Sequence, residues 1–281
     1  MDFLLQRLGR LAGEMKERMY SETVEIDGFR ILNSEERDPE VALQSPEWAD
    51  FPPGSVWGGD NGRYWFTAEL VIPPAFEGQC VCFTLLTGRE AYWDAVNPQL
   101  TVYLDGKLRQ GFDVNHHSLR LTEAAEAGRR YRLTLSALTG TDNPVLQFIP
   151  RLCVVDLPTY DYYYDLVVPV ETARLLHPES EPFRQILSAA NRSVNQLDLR
   201  KPYSEAYYDS LSAASRVLKE ELYGLPASPE AEVYCVGHTH IDVAWMWTLA
   251  ITEDKAVRSF STVLELMDRY PEYIFMSSQP Q

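Results

Sequence analysis

Residues 232–247 read Glu232-Val-Tyr-Cys-Val-Gly-His-Thr-His-Ile-Asp-Val-Ala-Trp-Met-Trp247, and the organisation of the whole chain turns on them. The apolar, β-branched run up to Gly237 predicts a buried strand, with two histidines and an aspartate in alternate positions at its C-terminal end. In an extended chain His238, His240 and Asp242 point to one side. Imidazole nitrogen and carboxylate oxygen are ligands that Zn²⁺ accepts, so this spacing marks candidate metal ligands. A His-x-His pair also occurs as a satisfied structural or surface pair. Two ligands do not close a zinc site, and any others must come from elsewhere. Trp245 and Trp247 follow at once. An aromatic face beside a polar cluster suits stacking on a sugar ring, although aromatics near a strand end also serve as core.

Downstream, Thr252-Glu-Asp can cap a helix and place acid in its first turn. Val257, Phe260, Leu264 and Met267 recur at helical spacing and are expected to form its buried stripe. Pro271 follows the end, and Tyr273-Ile-Phe-Met276 reads as the next strand. Strand, polar loop, helix and strand make one βαβ unit, the opening of an α/β barrel whose active site lies at the C-terminal ends of its strands.

Gly237-His-Thr-His-Ile-Asp-Val-Ala-Trp-Met-Trp247, followed by Thr252, Lys255, Arg258-Ser-Phe260, Leu264, Met267, Tyr270-Pro271 and Ser278-Gln279, resembles the start of the catalytic domain of family 38 α-mannosidases. The likeness is greatest to the branch that carries a β domain ahead of its catalytic barrel, dense in this last stretch and looser before it. The resemblance implies that His240 and Asp242 bind a catalytic Zn²⁺ and that Trp245 forms part of the wall of a mannose subsite. It makes His238 a neighbouring group that orients the ligands. It further implies retaining hydrolysis of terminal α-mannose from glycans, with a later aspartate as nucleophile and zinc ligand, a later histidine, and a further carboxylic acid as general acid/base. None of those lies before Gln281, so the chain is expected to be an N-terminal piece with half a metal site and no catalytic residue of its own. Alone it is expected to be inactive, with a truncated barrel segment that is poorly ordered or ordered by neighbouring chains.

The remainder of the chain has three textures. In residues 1–21, Phe3, Leu4, Leu8, Leu11, Met15 and Met19 lie at helical spacing and predict an amphipathic helix. Residues 22–157 alternate in short runs broken by Gly, Pro, Asn and Asp. Candidate strands are Thr23–Leu32, Arg63–Pro73, Gln79–Leu86, Leu100–Leu104, Lys107–Gln110, Leu119–Thr122, Arg130–Leu138 and Val145–Val155. Leu104-Asp-Gly-Lys107 is a hairpin signal, since Asp-Gly tolerates the positive φ of a type I′ turn. Many short strands with regular turns predict an antiparallel β-sandwich, jelly-roll-like. Residues 158–230 read as a helical connector. In it Tyr160-Asp-Tyr-Tyr-Tyr-Asp and Val167-Val-Pro169 make a crossover, Pro182–Leu199 and Ser204–Leu222 two helices, Gly224-Leu-Pro226 a stop and Pro226–Glu230 a linker. Residues 231–281 begin the barrel. The fold class is mixed α and β: sandwich, helical connector, incomplete α/β barrel.

Trp48, Trp57, Trp65 and Trp93, with Asp60, Asn61 and Asp94, are either core tryptophans with turn residues or the exposed platform of a carbohydrate-binding module; the core reading is favoured. His116-His117, after Asp113 and Asn115, reads as surface loop. The formal net charge of −16 opposes nucleic acid and anionic membrane surfaces as partners and is compatible with a neutral sugar. Cys80, Cys82, Cys153 and Cys235 have neither zinc-finger nor redox spacing and are expected to be reduced. With an N-terminus broken by charges and no apolar run long enough to span a bilayer, the expected location is cytoplasmic. α-Mannoside glycans are the implied partners, and a homo-oligomer is left open.

Two rival readings remain. An amidohydrolase-type enzyme also places His-x-His at the end of its first barrel strand, with both histidines as ligands and metal-hydroxide attack on an amide. Asp242, Trp245 and Trp247 fit the mannosidase pattern and not that one. The other rival is a sugar-binding or structural module built on the sandwich alone.

Overall fold

The computed structural model describes residues 2–90, 98–140, 142–224, 232–245 and 247–278. Among them, in chain order, are helix α1 (Asp2–Glu17), strands β1 (Tyr20–Glu25) and β2 (Arg30–Asn33), helix α2 (Pro39–Leu43), and strands β3 (Ala49–Asp50), β4 (Val56–Gly58), β5 (Arg63–Val71) and β6 (Val81–Leu86). Strands β7 (Gln99–Leu104), β8 (Lys107–Phe112), β9 (Ser118–Thr122), β10 (Arg130–Leu138), β11 (Val145–Gln147) and β12 (Ile149–Val155) follow. Helices α3 (Leu157–Leu175), α4 (Glu181–Val194) and α5 (Glu205–Leu218), strand β13 (Gly237–Thr239), helix α6 (Leu249–Arg269) and strand β14 (Phe275–Ser277) complete the chain. Two compact units result, Met1–Thr23 with Cys153–Glu232, and Val24–Leu152 with Val233–Gln281.

The first unit is helical. Leu8 and Met15 of α1 are fully buried against Tyr162, Leu166 and Val170 of α3, Phe183 and Leu187 of α4, and Tyr207, Leu211 and Leu218 of α5. Phe3, expected on that buried stripe, is 78% exposed. The tyrosine-rich run, expected as a crossover out of the sandwich, lies within α3, and Pro169 sits inside that helix. Tyr162, Leu166, Pro169, Val170 and Ala173 fall on one buried face at helical spacing, and burial of that face outweighs the break that proline favours. Asp156 caps α3 by accepting the Thr159 N–H at 3.0 Å, and Ser204 caps α5, as its sequence suggests, by accepting the Tyr207 N–H at 3.3 Å. The predicted stop residues Leu225 and Pro226 and the linker to Glu230 lie outside the described residues.

The second unit holds most of two larger sheets. One sheet has the order β1-β12-β6-β9 and the other β3-β2-β5-β10-β7-β8. The pairs β2–β5, β5–β10, β10–β7, β7–β8 and β6–β9 are antiparallel. The single strand expected over Thr23–Leu32 is two, β1 in the first sheet and β2 in the second. Gly28, at φ +78°, allows the corner between them. Asp105 and Gly106 both have positive φ, as the predicted hairpin turn requires.

Register separates the faces of the larger sheet. Phe66, Ala68, Leu70, Leu133, Leu135, Leu100, Val102 and Phe112 share the inner face, and Phe83 of β6 stacks on Phe112 with ring centroids 6.0 Å apart. Arg63, Trp65, Ser136, Thr101 and Gln99 share the outer face, yet all are buried. Part of that face lies under Leu32, Ala42 and Trp48, which cluster with Trp65. Helix α6 packs on β7 and β8. It does so with its polar side: Val257, Phe260, Leu264 and Met267, the expected buried stripe, are 42%, 41%, 62% and 44% exposed. The physical reason is the chemistry of the face it meets. The sheet presents Arg63, Gln99, Arg109 and the Gly111 N–H, and the helix answers with Asp254, Arg258, Glu265 and Thr262.

Among the described residues no helix is long and apolar enough to cross a membrane. None of the four cysteines forms a disulfide; Cys80, Cys82 and Cys153 are buried and Cys235 is exposed.

Candidate functional site

Strands β13 and β14 pair in parallel, with Gly237 opposite Phe275, His238 opposite Met276 and Thr239 opposite Ser277. The chain leaves β13 at His240 and enters the loop that carries Asp242. His240 Nε2 stands 3.1 Å from Asp242 Oδ1, and His240 Nδ1 has a long 3.5 Å contact with Ser278 Oγ, just past β14. Both members of the pair are open to solvent, His240 at 56% and Asp242 at 50% side-chain exposure. The arrangement brings His240 and Asp242 together. His238 lies within β13, and among the described residues no hydrogen bond joins it to either ligand candidate.

The loop is held by groups the sequence did not single out for this role. Trp247 Nε1 donates to the Asp242 carbonyl at 3.1 Å. Ala244 takes a positive φ of 55° and donates its N–H to Thr252 Oγ1 at 3.1 Å, while the Thr252 hydroxyl donates to the Thr248 carbonyl at 3.2 Å. Thr248 in turn caps α6 by accepting the Ile251 N–H. Lys255 Nζ lies 4.0 Å above the Trp247 ring, a cation–π contact. Trp245 meets Trp247 edge to face, 5.4 Å between centroids, and is itself 60% exposed. An exposed indole beside a carboxylate and an imidazole is a surface on which a sugar ring could stack.

The residues fit two corners of a zinc site. Two ligands bonded to one tetrahedral zinc at 2.0–2.1 Å stand about 3.3 Å apart, close to the separation found here. Among the described residues no group of three or more His, Cys, Asp or Glu side chains converges to complete such a site.

The sandwich tryptophans are core. Trp48, Trp57 and Trp65 are 8%, 5% and 0% exposed, and each indole N–H is satisfied by a backbone carbonyl, of Ala42, Gln147 and Glu36 respectively. They offer no ring to a sugar. Trp93 and Asp94 lie outside the described residues; Asp60 and the positive-φ Asn61 form an exposed turn. His116 Nδ1 contacts Asp113 at 3.1 Å in an exposed loop.

Comparison with known proteins bears on the same stretch. Residues 230–281 match the family model described as the glycosyl hydrolases family 38 N-terminal domain. Alpha-mannosidase 2C1 of Mus musculus is 27% identical over 95% of this chain and 26% of its own length, and that of Homo sapiens 28% identical over 89% and 25%. An alpha-mannosidase of Saccharomyces cerevisiae is 33% identical over 45% of this chain and 12% of its own. The chain thus spans about a quarter of the length of the mouse and human relatives. Among solved structures, an uncultured Clostridium beta-glucuronidase aligns with 48% of this chain and 29% of its own at 13% identity and a TM-score of 0.33, too loose a match to bear on the fold. The matched stretch contains the whole run from β13 to β14 with His240, Asp242 and Trp245, and over it the chain is similar to the glycosyl hydrolases family 38 N-terminal domain.

Proposed function

We propose that this chain is the N-terminal part of a zinc-dependent retaining α-mannosidase that removes terminal α-mannose from glycans. The observation that carries the reading is the His240–Asp242 pair, 3.1 Å apart just past β13 and inside the family-matched stretch. His240 and Asp242 would hold the metal, and Trp245 would form one wall of the sugar subsite. Zinc bound there would act as a Lewis acid, gripping two adjacent hydroxyls of the mannose ring. Asp242 keeps its orientation through its own backbone, since its carbonyl is tied to Trp247. Retention calls for two carboxyl groups about 5–5.5 Å apart across the scissile bond, and neither is assigned to a residue of this chain. The chain alone is therefore proposed to be inactive. The larger architecture would be a jelly-roll-like sandwich preceding an α/β barrel that begins with β13, α6 and β14, and the location would be cytoplasmic, which suits four cysteines held in no disulfide.

The test is α-mannoside hydrolysis by the complete gene product, with and without zinc, beside His240→Ala and Asp242→Ala. Zinc-dependent release of mannose that both substitutions abolish is the expected result. Unchanged turnover in both variants would refute the assignment of the ligands.

A further inference from the structure

Helix α6 touches the ligand loop at one end and the outer face of the larger sheet along its length. Arg63, the first residue of β5, is 4% exposed and grips Asp254 with both terminal nitrogens, Nη2 to Oδ2 at 2.5 Å and Nη1 to Oδ1 at 3.3 Å. Nη1 also reaches Ser136 Oγ at 3.4 Å. A two-point guanidinium–carboxylate pair fixes direction as well as distance, which an apolar contact of the same area would not do. Asp254 belongs to the turn of α6 that holds the loop. Thr252 accepts the Ala244 N–H, and Lys255 lies over Trp247, whose indole binds the Asp242 carbonyl. Glu253, between them, pairs with Arg37. Turning this part of the helix about its axis would shift every one of these contacts together.

From this continuity we infer that Arg63 is a positioning residue for the ligand loop: through Asp254 it sets the first turns of α6, and through Thr252, Lys255 and Trp247 these set Asp242. The inference deepens the metal-site reading above and rests on it. Further along, α6 is fastened independently. Arg258 hydrogen-bonds Gln99, the Gly111 N–H donates to Thr262 Oγ1, and Arg109 binds Glu265 at 2.7 and 2.8 Å. Loss of Arg63 therefore loosens the N-terminal turns and the loop without releasing the helix.

Amide hydrogen exchange on the 281-residue chain tests this, comparing wild type, Arg63→Gln, Asp254→Asn and, as an exposed control, Arg130→Gln, which breaks only its pair with Glu69. Arg63→Gln and Asp254→Asn should each speed exchange over residues 242–252 about tenfold and leave residues 258–269 at the wild-type rate, with no change in the control. Titration of the complete gene product with zinc chloride should show His240-dependent binding that weakens about tenfold in the same two variants, the lower end of the loss typical when a group orienting a metal ligand is removed. Protection over 242–252 decides the inference: wild-type rates in both variants overturn it, even if zinc binds. Zinc uptake decides the metal reading: if His240→Ala binds zinc as wild type does, that reading fails while the exchange result still stands. If Asp254→Asn unfolds because it leaves the buried Arg63 guanidinium unpaired, Arg63→Gln, which leaves only the less buried carboxylate, carries the test.

Discussion

The backbone N–H of Gly111 donates to Thr262 Oγ1 at 2.9 Å, and at this point α6 and β8 come close together. A Cβ on Gly111 would stand 2.8 Å from Arg258 Cβ, closer than carbon atoms approach, and the nearby part of Arg258 is not a flexible tip that can move aside. The glycine is there for space and not for an unusual φ. Gly111→Ala should destabilise the second unit by about 1–3 kcal/mol through overpacking, and Gly111→Val by more. Urea unfolding followed by tryptophan fluorescence measures it; an unchanged midpoint in both variants would mean that α6 is not seated here.

In the helical unit, Ser193 Oγ donates to the Ala214 carbonyl at 2.8 Å, so the Tyr162 hydroxyl, 2.8 Å away, must be the donor to Ser193. Tyr162 is 1% exposed, and burial pushes its hydroxyl up to about 12, which keeps it protonated and donating at all ordinary pH. Ser193→Ala strands both a buried hydroxyl and a carbonyl and should cost about 1–3 kcal/mol. Adding Tyr162→Phe removes the orphaned hydroxyl, so the double variant should be less than additive. A thermodynamic cycle from denaturant unfolding would show this, and strict additivity would argue against the shared bond.

How much of this was legible in the sequence depended on what each pattern reports. Alternating runs and Asp105-Gly106 foretold the antiparallel sheets because strand and turn chemistry are local. The break at Gly28 was hidden inside a β-favouring run, since one residue with positive φ suffices to move the chain between sheets. The motif announced His240 and Asp242 as candidate ligands, and the loop places them side by side. The face of α6 was read the wrong way round. Val257, Phe260, Leu264 and Met267 form a regular stripe, but a stripe does not say what covers it, and here the polar side meets a sheet face that is itself polar. Nothing in strand alternation distinguishes polar residues facing water from Arg63, Ser136 and Gln99, which are buried. Such pairings are long-range and become visible only in three dimensions.

His116 and Asp113 form a pair whose pH response follows from two opposite shifts. The Asp113 hydrogen bond holds His116 above the ordinary histidine value. Burial acts to raise the Asp113 carboxyl, but the His116 hydrogen bond and charge outweigh it and leave the carboxyl below the usual range. The stabilisation on the histidine side is complete below about 6.5 and is lost as pH rises through the raised His116 value. On the aspartate side it is present above about 3.8 and is lost as pH falls through the lowered Asp113 value. His116 is mostly exposed, so solvent screens the pair and its share of stability is small. An NMR titration of the His116 ring should give a midpoint above the ordinary one, and Asp113→Asn should return it to about 6.5. Equal midpoints in the two proteins would exclude the interaction in solution.

The tryptophans separate stability from function. Trp65 is fully buried, spends its indole N–H on the Glu36 carbonyl and packs with Leu32, Ala42 and Trp48. Trp65→Ala should cost about 3–5 kcal/mol, the usual toll for emptying an aromatic core site. Trp245 is 60% exposed and touches chiefly Trp247, so Trp245→Ala should change stability by no more than about 0.5 kcal/mol. Its effect belongs to the sugar. In the complete gene product, Trp245→Ala should raise the KM for α-mannosides at least tenfold, because a stacking wall is lost while the His240–Asp242 pair is untouched. Measuring the unfolding midpoint and KM on the same variants sorts the two roles. A Trp245→Ala protein with normal KM but a large loss of stability would move Trp245 into the core and leave the subsite without its aromatic wall.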